Sequence, residues 1–317
     1  MSRAMKLLLP DSLPLSPAVP DGVDVVTYDA GAPVPDEHLD AEALVVWGSA
    51  QADVAAVAGR MPALRWVQTL SAGPDSVLAA GFADHVVVTS GVGLHSVTVT
   101  EHALALTLAL VRRLPAASRA QAEHRWAREL GGVQPLHPQG PVTTLLDARV
   151  LVWGFGQIGQ TLAGLLRGLG AHVRGVARSA GDRAGFPVVA EEDLEAELPG
   201  TDVLVMILPA DASTERALDA PRLAALPGHA YVVNVGRGTT VDEEALHAAL
   251  SAGTIAGAAL DVTAVEPLPA DSPLWDAPNL VLTPHAAGGR PVGADELVAH
   301  NVAALVAGQP LHNVVER

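Results

Sequence analysis

The sequence predicts an α/β protein built from two doubly wound parallel-sheet domains. Three observations carry that expectation. The chain has 317 residues, more than a single domain of roughly 100 to 200 residues needs. Short apolar runs bounded by turn residues recur along its length, most of them separated by helix-length segments. A glycine-rich strand, turn and helix, LVWGFGQIGQTLAGLL, begins only at Leu151, so a domain's worth of chain precedes it.

In the first hundred residues the strand candidates are Met5 to Leu9, Val23 to Tyr28, Ala43 to Trp47, Leu64 to Leu70 and Val86 to Thr89, with Ala50 to Arg60 as a crossover helix. The opening MSRAMKLLLPDSLPLSP has two positive charges and a leucine run. That run is brief and cut by Pro10, Asp11 and Pro14, so it reads as a first strand rather than a signal peptide. From Thr98 a long helix is expected, with Thr98 or Thr100 as N-cap and Pro115 as a break or kink. ELGGVQPLHPQGPVTTLL reads as loop. DARVLVWGFGQIG then gives a strand and its turn, and AHVRGVARS, DVLVMILPA, AYVVNVGRG, AGAALDV and NLVLTPH give five more strands. GADELVAHNVAALVAGQP closes the chain as an amphipathic helix expected to return to the first domain.

Composition narrows the chemistry. A formal net charge of −16 repels phosphate, which argues against nucleic acid and acidic membranes as partners. The absence of cysteine excludes disulfides, thiolate zinc sites and thiol nucleophiles. Lys6, the only lysine, lies far from any motif, which disfavours Schiff-base chemistry. No run of about 20 apolar residues could span a bilayer, so a cytoplasmic protein is expected. His95 and His102 have no third ligand at metal spacing, and no metal is expected.

In GFGQIG, Gly154, Gly156 and Gly159 satisfy G-x-G-x-x-G between the run Val150 to Trp153 and a helical segment, Gln160 to Leu169. The first glycine makes the turn, the second admits a pyrophosphate to the backbone, and the third lets helix pack on strand. An acid about 20 residues on would hold the ribose hydroxyls of NAD. Here the second strand ends in Ala177, Arg178 and Ser179. A guanidinium and a hydroxyl suit a 2′-phosphate, so NADP is the preferred cofactor, with NAD as the second choice.

Three polar residues stand where later strands end. Arg237 follows YVVNVG, Glu266 lies beyond ALDVTAVEP, and His285 follows NLVLTP. Each alone could be an ordinary surface residue; together they form a set. A ketone that accepts hydride needs a proton at its oxygen, which an imidazolium can give, and a paired carboxylate favours the protonated ring. Arginine binds a carboxylate and polarises a carbonyl.

The segments NVGRGTTVDEEAL, ALDVTAVEPLPADSPLW and NLVLTPHAAGG, with GFGQIG upstream, resemble the D-isomer-specific 2-hydroxyacid dehydrogenase family. LRWVQTLSAGPDSV resembles its substrate loop and HSVTVTEHALALTLAL its interdomain helix, so the resemblance spans essentially the whole chain. It implies a Rossmann-type nucleotide domain, 98–288, inserted into a flavodoxin-like substrate domain, 1–97 with 289–317, and an active site in the cleft. By resemblance Arg237 binds substrate, Glu266 partners the histidine and His285 is the general acid/base. It also places Gln157 and Ile158 at the pyrophosphate, Leu208 and Pro209 beside the adenosine, and Val235, Gly236, Asp261 and Gly288 with the cofactor. Backbone groups of Ser71, Ala72 and Gly73 would hold the substrate carboxylate.

The implied activity is hydride transfer between NADP(H), or NAD(H), and a 2-oxo or D-2-hydroxy acid, with glyoxylate, hydroxypyruvate, pyruvate and bulkier acids all open. A homodimer joined near the long helix and the loop up to Pro141 is implied as well. Asp211 departs from the threonine common in the family, and Arg290 from a small hydroxyl residue. The alternative of another class is a catalytically silent, nucleotide-sensing regulator of the same fold. Formate dehydrogenase relatives pair the histidine with glutamine, which Glu266 argues against. Neither Tyr28 nor Tyr231 can complete Y-x-x-x-K, and no G-x-S-x-G is present.

Overall fold

The computed structural model describes residues 4–135, 137 and 141–316. The chain divides into two compact units, Met1–His95 with Arg290–Arg317, and Ser96–Gly289.

The first unit holds five strands, β1 (Met5–Pro10), β2 (Val23–Tyr28), β3 (Ala43–Val46), β4 (Trp66–Thr69) and β5 (Val87–Thr89). All neighbours are parallel, in the order β2-β1-β3-β4-β5. Parallel strands need crossovers that bury both sheet faces, and the side-chain alternation of each strand meets that need. Leu8, Leu44, Val46 and Val67 face one layer with α1 (Gln51–Ala58) and α2 (Asp75–Ala79). Leu7, Leu9, Ala43, Val45 and Trp66 face the other, packed with Ala294, Val298 and Val302 of the C-terminal helix (Ala294–Ala307). Buried Asn301 of that helix donates to Gln68 Oε1 at 2.9 Å, satisfying two polar groups within the apolar layer.

The second unit opens with α3 (Ser96–Val111) and α4 (Leu114–Ala122). The helix begins at Ser96, before the expected Thr98 or Thr100 cap; Thr100 lies buried inside it. Pro115 falls in the first turn of α4 rather than breaking a longer helix, where its missing N–H is no loss. Arg113, in left-handed conformation at φ 55°, makes the bend between the two.

The sheet follows: β6 (Arg149–Trp153), β7 (His172–Ala177), β8 (Gly181–Arg183), β9 (Phe186–Ala190), β10 (Val203–Met206), β11 (Tyr231–Asn234), β12 (Gly257–Leu260) and β13 (Leu280–Leu282). Their order is β13-β12-β11-β10-β6-β7-β9-β8, with only β8 antiparallel. Strand order therefore reverses at β6, which lies between β10 and β7. In such sheets ligands bind outside the carboxyl ends at that point.

Val150, Val152, Val203 and Val205 face a layer with α3 and α5 (Gln157–Gly168). Leu151, Trp153, Leu204 and Met206 face α6 (Leu194–Glu197), α7 (Ala220–Ala225) and α8 (Glu243–Ala252). Helix α5 starts three residues before the expected Gln160, directly at the glycine turn. Among the described residues no helix is long and apolar enough to cross a membrane.

Candidate active site

The site grows from glycines that let strand-end loops stack backbone on backbone. Gly154 closes β6 at φ +101°, and a Cβ there would lie 2.5 Å from the Ile207 carbonyl oxygen beyond β10. Gly159 brings α5 against β6: its Cβ would lie 2.6 Å from the Gly154 carbonyl oxygen. Gly236, after β11, would place a Cβ 2.5 Å from the Leu208 oxygen, and Gly238 would overlap the Thr263 carbonyl carbon. Four loops are thereby drawn to one edge of the sheet.

Gly156 is the exception, because a Cβ there would meet nothing within 4 Å. It is the N-cap of α5, with no side-chain cap and no acidic residue in the first turn, which holds Gln157 and Ile158. The first N–H groups of the helix are left for an anion, and the positive end of its dipole faces the same space. This turn fits a dinucleotide pyrophosphate.

Beyond β7, Arg178 and Ser179 are exposed and Ala177 is half-buried. No carboxylate stands at the strand end. Arg183 of β8, which the sequence reading passed over, donates to the Ser179 carbonyl at 3.1 Å and to its Oγ at 3.0 Å. Leu208 is buried, and Pro209 O accepts from Thr214 Oγ1 at 2.7 Å. Asp211 has a structural account: its Oδ1 accepts from the N–H and hydroxyl of Ser213 and the N–H of Thr214, folding the loop after β10. The Ser213 hydroxyl, ahead of the main-chain donors, holds the Asp211 carboxyl below its usual range.

His285 and Glu266 meet across 19 positions of sequence. His285 Nδ1 lies 2.7 Å from Glu266 Oε2. A carboxylate only accepts, so Nδ1 carries the proton and Nε2 is left for a substrate. The other Glu266 oxygen accepts from the Thr263 N–H at 3.0 Å, which fixes the acid from behind. His285 sits at φ 51°, a left-handed conformation uncommon for a residue with a side chain. Its N–H donates to the Asp261 carbonyl at 2.7 Å, so the strained turn is tied to the end of β12.

Arg237 is half-buried, with Nη1 donating to the Gly236 carbonyl at 2.9 Å. Its own carbonyl accepts from Asn234 Nδ2 at 3.0 Å and from Thr240 Oγ1 at 2.6 Å. Asn234 Oδ1 also accepts from the Gly236 N–H at 3.0 Å. Asn234 and Thr240 thus clamp the loop that carries the arginine. Their signal was present in the polar ending of an otherwise apolar strand.

Asp261 is buried, and its oxygens are taken up inside the fold. Oδ1 accepts from Thr283 Oγ1 at 2.6 Å and the Ala286 N–H at 2.9 Å; Oδ2 accepts from the Ala287 N–H at 3.0 Å. His102 Nε2, on α3, approaches Oδ1 at 3.1 Å and Thr283 Oγ1 at 3.0 Å. This network holds the segment from Thr283 to Ala287, with His285 at its centre. Val235 and Gly236 are buried, Gly236 against the Leu208 backbone, and Gly288 follows the segment from Thr283 to Ala287.

In the first unit, Ser71, Ala72 and Gly73 follow β4 and are half-buried. The Ser71 N–H donates to Thr69 Oγ1 at 3.1 Å, and its carbonyl accepts from the Gly91 N–H at 2.7 Å. Arg290 is exposed.

A second polar group occupies the opposite edge of the large sheet. Asp202, buried just before β10, accepts the fork of Arg149 through Nε at 3.2 Å and Nη2 at 2.9 Å, and the Arg149 N–H at 2.7 Å. His229 Nε2 lies 2.9 Å from Oδ1 and His137 Nε2 3.1 Å from Oδ2. His137, Asp202 and His229 meet the spacing of a metal cluster. The arginine fork already neutralises the carboxylate of this cluster, so the acid is spent on hydrogen bonds, while His137 Nδ1 is buried without a partner.

The sequence profile of the D-isomer specific 2-hydroxyacid dehydrogenase family, NAD binding domain, matches residues 104–287. Glyoxylate/hydroxypyruvate reductase A of Salmonella newport is 34% identical over 288 residues, covering 89% of this chain and 88% of that protein. A D-isomer specific 2-hydroxyacid dehydrogenase from Xanthobacter autotrophicus, solved with NADPH and MES, superposes with a TM-score of 0.81 at 32% identity, covering 99% of this chain and 98% of that one. The NADPH-dependent glyoxylate/hydroxypyruvate reductase of Sinorhizobium meliloti, solved with NADP and sulfate, gives 0.81 at 27% identity, covering 99% and 98%.

Proposed function

Because the chain belongs to the D-isomer specific 2-hydroxyacid dehydrogenase family, we propose that it is an NADP(H)-preferring reductase of small 2-oxo acids of the glyoxylate and hydroxypyruvate class. The observation that carries this reading is the Glu266–His285 pair at 2.7 Å, held on the same sheet edge as the open glycine turn. The unit Ser96–Gly289 takes the cofactor, and the unit built from both chain ends takes the substrate.

A bound nicotinamide would supply the hydride for the keto carbon. His285 gives the proton on Nε2 to the substrate oxygen, so the carbonyl becomes a hydroxyl with hydride and proton both accounted for. Glu266 keeps Nδ1 protonated and offsets the charge of the imidazolium. Arg237 binds the substrate carboxylate and polarises the keto oxygen. Ala72 and Gly73 supply main-chain donors to the carboxylate, and Ser71, whose N–H is given to Thr69 Oγ1, fixes the start of that loop. On the cofactor, Gly154, Gly156, Gln157, Ile158 and Gly159 receive the pyrophosphate, and Arg178 and Ser179 the 2′-phosphate. Leu208 and Pro209 flank the adenosine, and Val235, Gly236, Asp261 and Gly288 line the nicotinamide side.

The same reading takes the protein as a cytoplasmic homodimer. Support for a second copy comes from Leu114, Trp126 and Val133, exposed by 53%, 89% and 101% along one stretch of the second unit. The expected contact runs on to Pro141, and residues 136 and 138–140 of it lie outside the described residues. Light scattering should give twice the chain mass; a monomer ends this part of the proposal.

The test of function is a panel of 2-oxo acids assayed with NADPH and NADH by nicotinamide absorbance. Turnover of glyoxylate or hydroxypyruvate, faster with NADPH, is expected. Cofactor binding without turnover of any 2-oxo acid would favour the nucleotide-sensing regulator.

A further inference from the structure

We infer that Arg183, on the short edge strand β8, is a specificity-determining residue for the 2′-phosphate of NADP(H), acting with Arg178 and Ser179. The inference rests on the NADP(H) reading above and adds to it a donor from a different strand.

The hairpin that carries Arg183 is well anchored. β8 pairs antiparallel with β9, with Arg183 opposite Phe186. Phe186 is buried and packs edge-on against Phe155 of the glycine turn, ring centroids 5.9 Å apart. The Arg167 guanidinium of α5 lies 4.1 Å over the Phe186 ring, and its Nη1 donates to the Gly185 carbonyl at 3.3 Å. The edge strand is thereby tied to the helix whose N-terminus would take the pyrophosphate. Alternation along β8 puts Asp182 on the face opposite Arg183. Its Oδ1 accepts the Gly185 N–H at 3.0 Å in the turn.

The contact of Arg183 with Ser179 has a direction. Arg183 has no acceptor to offer, so it donates to Ser179 Oγ at 3.0 Å and to the Ser179 carbonyl at 3.1 Å. That occupies one of the two lone pairs on the hydroxyl and leaves its proton to be given elsewhere. Arg178 and Arg183 present donors only, and the Ser179 hydroxyl adds its proton beside them. A ribose 2′-hydroxyl has a proton to give and would find no carboxylate to take it. A phosphate monoester only accepts, and the Arg178 guanidinium with the Nε and Nη1 donors of Arg183, whose Nη2 is held by Ser179, beside a hydroxyl proton match it. The absence of an acid at the end of β7 withdraws support for NAD(H); Arg183 adds a specific attraction for the phosphorylated form.

Calorimetric titration with 2′,5′-ADP and with 5′-AMP separates the phosphate from the rest of the nucleotide. Wild type should bind 2′,5′-ADP more tightly, and Arg183→Ala should reduce that preference about ten- to a hundredfold, the size of a lost hydrogen bond between charged groups. Arg183→Lys, which keeps the charge but not the fork, should recover part of it. Steady-state kinetics should show the loss as a higher KM for NADPH rather than a lower kcat. A wild-type preference that Arg183→Ala leaves within about twofold overturns the role of Arg183 while sparing the cofactor reading. Equal wild-type binding of the two nucleotides overturns both. Thermal melts identify a variant that does not fold, in which case Arg183→Lys and Arg183→Gln carry the same comparison.

Discussion

The two edges of the large sheet use the same residue types for opposite ends. At the carboxyl edge stand Arg237, Glu266 and His285; at the amino edge stand Arg149, Asp202, His137 and His229. Asp202 is fully buried and accepts five donor contacts, from Arg149 and the two histidines. His285 and Glu266 are exposed by 47% and 37%, and the histidine keeps one ring nitrogen turned away from its partner. Chemistry is legible in hydrogen-bonding capacity that the fold has not consumed, rather than in residue identity. An acid saturated with donors, as Asp202 is, stabilises; a half-spent pair, held from behind, can act.

That contrast breaks first at His285. His285→Ala should lower turnover by about 10²–10⁴-fold, the usual contribution of a positioned proton donor, while nucleotide binding followed by nicotinamide fluorescence is retained. Near wild-type turnover would remove the distinction between the edges. Glu266→Gln should cost less, roughly ten- to a hundredfold in kcat, because a neutral amide replaces a charge-assisted acceptor. A loss confined to KM would show that the pair positions substrate rather than the proton.

Much of the carboxyl edge was legible because its residues sit in motifs at strand ends. The buried strands β1, β6, β10 and β11 were legible for a related reason: each contains a continuous apolar stretch near turn residues. The edge strand β8 was not, since Gly181, Asp182 and Arg183 bury no apolar side chain and give no period to read. Arg183 was missed with it. The start of α3 was placed late because Thr98 and Thr100 resemble caps, whereas the helix already runs from Ser96 and Thr100 is buried. The Asp202 network joins His137, Arg149, Asp202 and His229 from four separate segments, brought together by strand order, which no local spacing records.

Glycine supplies the next test. A Cβ at Gly238 would overlap the Thr263 backbone, so the loops carrying Arg237 and Glu266 could not keep their approach. Gly238→Ala should cost about 1–3 kcal/mol in stability, read as a lower Tm, and raise KM for the 2-oxo acid. Gly164 lies on the same α5 as Gly159, but a Cβ there would meet nothing within 4 Å. Gly164→Ala should leave both quantities near wild type, and equal effects of the two substitutions would remove the loop-stacking argument.

The smallest effect on catalysis should come from the amino edge. Burial pushes the Asp202 carboxyl up, but the Arg149 fork and N–H, with His229, more than offset it and hold the group below its usual range. A carboxylate depressed in the folded state adds stability above its unfolded value near 3.9, and loses it as pH falls through the folded one. Asp202→Asn should therefore lower Tm at neutral pH, by the worth of a buried charged hydrogen bond of about 1.5–3 kcal/mol, at roughly 2–4 °C per kcal/mol. Arg149 is half exposed, so solvent screening trims its share. The Tm difference from wild type should narrow below about pH 4, where the unfolded carboxyl is protonated and the wild-type advantage drains away. Turnover at 25 °C should stay near wild type, since Asp202 precedes β10 at the sheet edge opposite the loops that carry Arg237, Glu266 and His285. If Asp202→Asn reduced kcat as Glu266→Gln does, the two edges would be one functional unit and the comparison would fail.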